Sequence, residues 1–196
     1  HVPTVLGAVA ITYNVPGLKK PINLDGETIA QLFSGKIMKW NDPKIVALNA
    51  GVTLPDSGVV PVYRSDSSGT TSVFTEYLAK VSPEWKAKVG QGKSVKWPAG
   101  LGGKGNEGVT GQVKNTPGSV AYVELAYAMA EKLPTALVKN KAGSFVAADM
   151  KSVTAAAAGA VKPMPEDFRV SITDAEGKDS YPIAAFTYLL VFKDMP

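Results

Sequence analysis

The 196-residue chain contains no cysteine. Disulfides, thiol nucleophiles and cysteine-based zinc sites are therefore excluded together. The redox compartment stays open, because a disulfide-free protein can live in an oxidising or a reducing space. The only histidine is His1, at the terminus. A Ser-His-Asp triad needs a buried, oriented imidazole, so triad hydrolysis is excluded, and histidine-rich metal sites fall with it. No apolar run reaches the roughly 18 residues that a membrane-spanning helix needs. No G-K-[ST] stands at Walker A spacing, which excludes a P-loop. The opening "HVPTVLG" has neither a basic n-region nor a cleavage site. That fits a mature or excised piece as well as a cytosolic protein. The net charge is only +4, with a pI near 9.1. Its lysines are scattered, and no basic stripe interleaves with aromatics, so nucleic acid is not an expected partner. Lys19-Lys20, beside Pro21, is an isolated pair that suits a solvated loop.

What is present alternates between strand and helix patterns. "VPTVLGAVAITYNVPG" predicts a long apolar strand over 5–14, closed at Pro16-Gly17. In "DGETIAQLFSGK" the spacing of Ile29, Leu32 and Phe33 predicts a short helix stopped at Gly35. "WNDPKIVALN" predicts another, capped by Asn41 or Asp42 with Pro43 at its first position. "VVPVY" predicts a strand over 59–63, and a helix should begin near Ser68 with Phe74, Tyr77, Leu78 and Val81 on one face. "SPEWKAKVG" adds a further short helix from Ser82-Pro83. "WPAGLGGKGNEG" suits a glycine-rich loop, "VTGQVKNTPG" a short helix and "SVAYVEL" a strand. "DMKSVTAAAAGAV" is alanine-rich helix, and "YPIAAFTYLLVF" predicts a long strand over 181–192. The expected class is α/β with both sheet faces covered, as one unit over 1–196. Long apolar strands near both ends suggest an inserted domain cut at its two crossovers.

The chemistry concentrates in "YRSDSSGTTSVFTEYL", residues 63–78. A strand ends at Arg64, a polar loop follows, and a helix starts. The first turn of a helix offers unpaired N–H groups and a partial positive charge. Gly69 lets the backbone approach a ligand, Ser68 and Thr70 add hydroxyls, and the Arg64 fork matches tetrahedral oxyanions. The plainer alternative is a capped helix with a solvated arginine. Asp66 is open to three roles: pairing with Arg64, accepting a proton from a ligand, or making an Asx turn. "GKGNEG", residues 103–108, matches G-x-G-x-x-G formally, but with no predicted strand directly ahead it suits a tight loop feeding a helix. Glu166-Asp167 and Glu124 are not placed around any substrate by the sequence. Trp40, Trp85 and Trp97 suit core or cleft wall, and Tyr122 and Tyr127 suit packing.

Several segments together, "RSDSSGTTSVFTEYLAKVSPEWKAKVG", "VKWPAGLGGKGNEGV" and "TPGSVAYVELAYA", resemble the periplasmic phosphate-binding proteins of ABC-type phosphate transporters. "HVPTVLGAVAITYNVPGL" and "LFSGKIMKWNDPKI" match that family in the same order, so the resemblance covers essentially the whole chain. It implies a three-layer α/β/α lobe of a type II periplasmic binding protein, a mixed sheet with helices on both faces. Carried over residue by residue, it implies phosphate contacts at Arg64, Ser68, Gly69 and Thr70, with Asp66 pairing the arginine. Ser67 stands where the family commonly has glycine. The resemblance further implies a periplasmic or cell-surface solute-binding component, not an enzyme, with no cofactor and no metal. Its partners would be inorganic phosphate, the membrane subunits of an ABC importer and a first lobe of the same protein. Residues 5–14 and 181–192 would then be the hinge strands to that lobe. The alternative is a stand-alone oxyanion-binding or interaction module that pairs through exposed hinge strands.

Overall fold

The computed structural model describes residues 2–18, 20–160 and 165–191. In chain order the first elements are β1 (Val2–Asn14), β2 (Asn23–Leu24), α1 (Gly26–Phe33), α2 (Pro43–Leu48) and β3 (Val60–Arg64). α3 (Gly69–Val81), α4 (Pro83–Lys88), β4 (Leu101–Gly103), α5 (Gly105–Asn115) and β5 (Ser119–Glu124) follow. α6 (Leu125–Ala130), β6 (Leu137–Lys139), β7 (Phe145–Val146), α7 (Met150–Ala160) and β8 (Ala184–Leu189) complete the described part. The main sheet has the order β4-β3-β5-β1-β8. β3 runs parallel to β4 and β5, whereas β1 runs antiparallel to both β5 and β8, so the sheet is mixed.

Alternation along the central strands builds the two flanking layers. Side chains of a strand point to opposite faces with period two. Val120 and Tyr122 of β5 join Val9, Ile11 and Tyr13 of β1 in the larger core, beside Ile29, Leu32 and Phe33 of α1 and Phe74 and Leu78 of α3. Ala10, Ala121 and Val123 face the other way, onto Val109 and Val113 of α5 and Ala128 of α6. Helices therefore cover both faces, and the expected three-layer α/β/α lobe is the fold observed.

The helix starts follow the capping residues. Asp25 accepts the Thr28 amide at 2.8 Å to open α1, and Asp42 accepts the Lys44 amide at 2.9 Å to open α2 with Pro43 at its first position. Ser82 caps α4, and the indole N–H of its buried Trp85 donates to the Gly90 carbonyl at 2.9 Å.

Four sequence expectations need correction. The stretch 97–108 is not simply a loop: Leu101–Gly103 form β4, parallel to β3, with Gly103 opposite Arg64. Glycine has low intrinsic strand preference, and here the pairing with β3 outweighs it. The first strand starts at Val2 rather than Val5, because β8 supplies partners to that end. The last strand is shorter than 181–192: it spans Ala184–Leu189, while the Asp174 amide binds the Pro182 carbonyl and the Val9 amide binds the Ile183 carbonyl. Phe192 of that expected strand and Val161 of the expected alanine-rich helix lie outside the described residues, as does Lys19. Finally, a small sheet of order β2-β6-β7 and the short helix α6 have no counterpart in the sequence pattern. Strands of two or three residues are too short to show a period.

Candidate anion-binding site

β3 ends at Arg64, and α3 begins at Gly69, so residues 65–68 form the loop between them. Arg64 and Asp66 form a bidentate pair, Nε to Oδ1 at 2.7 Å and Nη2 to Oδ2 at 2.6 Å. The Arg64 side chain is only 11 % exposed, and that of Asp66 is 32 % exposed. Among the three roles open to Asp66, the geometry selects pairing. Asp66 Oδ1 also accepts the Gly105 amide at 3.1 Å, which leaves the carboxylate little capacity to accept a proton from a ligand. The Arg64 bond, then the Gly105 amide, hold this carboxyl far below the ordinary aspartate range. The same bond raises the Arg64 pKa, so the guanidinium is a permanent cation.

A depressed folded-state pKa stabilises the pair fully above the ordinary aspartate value of about 3.9, and the contribution fades as pH falls below it. In a carboxyl-carbon NMR titration, Asp66 should show no midpoint down to about pH 3. A midpoint near the ordinary value would mean the pair is not formed in solution.

The helix start is arranged as donors. Ser68 is the N-cap; its Oγ accepts the Thr71 amide at 3.2 Å, and its carbonyl accepts the Ser72 amide at 3.1 Å. The Ser68 amide is committed to the Lys93 carbonyl at 2.9 Å. What remains is the Ser68 O–H, the Thr70 O–H and the amides of Gly69 and Thr70, which as first-turn groups have no carbonyl within the helix. These groups line a cleft of about 560 Å³ together with Arg64, Lys93 and Glu124, opposite the face of β8 around Phe186 and Tyr188. All four predicted contacts, Arg64, Ser68, Gly69 and Thr70, thus share one cleft, and Asp66 stands behind the arginine. Cationic fork, helix dipole and amide donors converge as an oxyanion would require.

Three supporting groups escape the sequence reading. Tyr122, expected only to pack, also accepts the Arg64 amide with its hydroxyl at 3.1 Å and shares a 2.7 Å hydrogen bond with Thr71 Oγ1. Burial pushes its phenol up to about 12. Glu124 also lines the cleft, while its Oε2 caps α6 through the Ala126 amide at 2.9 Å. Lys93 enters the cleft wall from a loop whose sequence carries no signal of it.

The glycine motif 103–108 gains a role here. Contrary to the expectation, a strand does run directly into it: β4 ends at Gly103 and α5 starts at Gly105. The tight-loop role stands. A Cβ on Gly103 would lie 2.8 Å from the Gly108 carbonyl carbon and the Val109 nitrogen, and Gly105 has φ +70°, a left-handed conformation suited to glycine. The turn closes tightly enough for the Gly105 amide to reach Asp66. Asn106 Oδ1 meanwhile accepts the Glu124 amide at 3.2 Å, so this loop holds the Asp66 carboxylate and the backbone of Glu124.

Other expectations sort readily. Trp40 is fully buried, its indole N–H donating to the Gly118 carbonyl at 2.9 Å. Trp97 stacks on Tyr63 at 5.1 Å, so the tryptophans serve core and wall. Asp167 pairs with Arg169 at 2.6 Å on the exposed surface, and neither lines the cleft. A second groove of about 400 Å³ between α1 and α4 holds Lys36, Lys88 and Glu84, and none of the predicted contacts reaches it. Among the described residues no cluster of metal-ligating side chains occurs, and no helix is long and apolar enough to cross a membrane.

Comparison with known proteins bears on the fold and the family. Residues 1–196 match the PBP superfamily domain. The chain is 47 % identical over 192 residues to phosphate-binding protein PstS of Pasteurella multocida, covering 97 % of this chain and 56 % of that protein. It is 42 % identical over 203 residues to phosphate-binding protein PstS 3 of Mycobacterium leprae, covering 100 % of this chain and 54 % of that protein. The chain thus spans about half the length of the curated relatives it matches. Among solved structures, it resembles a high-affinity periplasmic phosphate-binding protein bound with phosphate, with a TM-score of 0.67 and 25 % identity, over 94 % of this chain and 55 % of that one. With the α/β/α lobe, the cleft at the α3 start and a match along its entire length, the chain belongs to the PBP superfamily.

Proposed function

We propose that this chain binds inorganic phosphate as part of the solute-binding component of an ABC importer, outside the cytoplasm, and that it performs no bond chemistry. The observation that carries the reading is the Arg64–Asp66 bidentate pair set beside the open amides of Gly69 and Thr70 in one cleft. The relatives named as phosphate-binding proteins support the ligand, and the periplasmic phosphate-bound neighbour supports both ligand and compartment. The names of the relatives describe binding, which supports the reading that no bond is made or broken.

In this reading Arg64, Ser68, Gly69 and Thr70 touch the ligand and Asp66 steadies the arginine. A further lobe of the same protein supplies the other half of the site, with β1 and β8 as the strands that join the two. Importer membrane subunits would receive the assembled protein. With one half of the site, the ligand stays partly hydrated, and solvent screening weakens every ionic contact. Calorimetry on this chain should therefore show phosphate binding with a Kd of about 1 mM or weaker, and little preference over sulfate. Micromolar binding that rejects sulfate would show that the half-site account is wrong.

A further inference from the structure

We propose that Tyr122 is a positioning residue for the anion site: its hydroxyl locks the strand end carrying Arg64 to the helical turn carrying Gly69 and Thr70. The inference rests on the phosphate reading and extends it to a residue that does not line the cleft. Tyr122 is fully buried on β5, the strand beside β3. Its hydroxyl accepts the amide of Arg64, the last residue of β3, at 3.1 Å. The same oxygen shares a 2.7 Å hydrogen bond with Oγ1 of Thr71, a buried residue in the first turn of α3. Thr71 in turn gives its amide to Ser68 Oγ at 3.2 Å, fixing the cap. One hydroxyl therefore joins both ends of the 65–68 loop.

The ring is as constrained as the hydroxyl. It stacks on Phe74 at 4.3 Å and 12°, and on Trp97 at 5.6 Å and 22°. Phe74 belongs to α3, so the stack and the hydrogen bonds tie the same helix to the same strand. A ligand gains affinity from donors that are already converged, because no ordering cost remains to be met on binding. Without the hydroxyl, the Arg64 amide is left unpaired in the interior and the turn loses its tether.

Tyr122→Phe isolates the hydroxyl, since the stacked ring is retained. The expected result is about tenfold weaker phosphate binding, together with about tenfold faster hydrogen exchange at the hydrogen-bonded Thr71 and Ser72 amides in the ligand-free protein. Tyr13→Phe is the control: Tyr13 is also buried and its hydroxyl accepts the Ile22 amide at 3.3 Å, but it lies outside the cleft. That variant should lose thermal stability while keeping both the phosphate affinity and the α3 exchange rates. Thr71→Val removes the other end of the shared bond, so its effect should be less than additive with Tyr122→Phe. Unchanged exchange at Thr71 and Ser72 in Tyr122→Phe overturns the inference, as does faster exchange with unchanged phosphate affinity. Absence of phosphate binding by the unmodified chain overturns the phosphate reading instead, and the exchange measurement still decides whether the hydroxyl holds the turn.

Discussion

Arg64→Ala should weaken phosphate binding by at least about thirtyfold, which takes a weak half-site beyond detection. Two effects add. The variant removes the well-buried cation of the cleft wall, whose side chain is only 11 % exposed. It also leaves the Asp66 carboxylate without its bidentate partner, so a negative charge then stands near the place where an anion would sit. Arg64→Lys should recover little, because an ammonium cannot reproduce the planar two-point contact to Asp66. The double variant Arg64→Ala with Asp66→Asn should bind better than Arg64→Ala alone, since the stranded charge is gone. Calorimetry and ligand-detected NMR check the series. If Arg64→Ala binds phosphate as the unmodified chain does, the arginine is a solvated strand-end residue and the plainer reading of the loop is the true one.

Phe74→Ala should destabilise the chain by about 3–5 kcal/mol. Phe74 is fully buried, with Phe33 edge-on at 4.8 Å and Tyr122 stacked at 4.3 Å. Those neighbours are themselves held, Phe33 on α1 and Tyr122 by its two hydrogen bonds, so the space left behind collapses poorly. The loss is a large part of the roughly 5–15 kcal/mol by which single domains are stable. Urea denaturation followed by circular dichroism should show a lower midpoint with an unchanged slope. Met129→Ala offers the contrast: Met129 is 68 % exposed on α6 and should change stability by no more than about 0.5 kcal/mol. A loss under about 1 kcal/mol at Phe74 would show that the aromatic cluster is not the tightly packed layer seen here.

The parts of the fold legible in the sequence are those whose signals are local. Asp42-Pro43 and Ser82-Pro83 state their caps and first helical positions outright, and both helices start there. The i, i+3, i+4 spacing of Ile29, Leu32 and Phe33 states a buried face, and all three are fully buried. β4 was hidden because its three residues, Leu-Gly-Gly, carry no strand signal of their own; only β3 makes them a strand. The cleft followed the same rule. Arg64, Ser68, Gly69 and Thr70 are neighbours in sequence, so their convergence was visible in advance. Tyr122, Glu124 and Gly105 reach the same place from another strand end and another loop. Their partners lie 58 residues from Tyr122 and 39 residues from Gly105 along the chain, and no local pattern records that. The ambiguity at Asp66 was resolved by just such a distant group, the Gly105 amide.

In the proposed reading Arg64 and the first turn of α3 form the phosphate contact. A titration of the isotope-labelled chain with inorganic phosphate, followed by NMR, tests it most directly. Saturable shifts are expected at the Gly69 and Thr70 amides and at the Arg64 Nη–H groups, larger than at any lysine of the groove between α1 and α4. Shifts confined to exposed lysines, or none at 69–70 when phosphate reaches tens of millimolar, would contradict it.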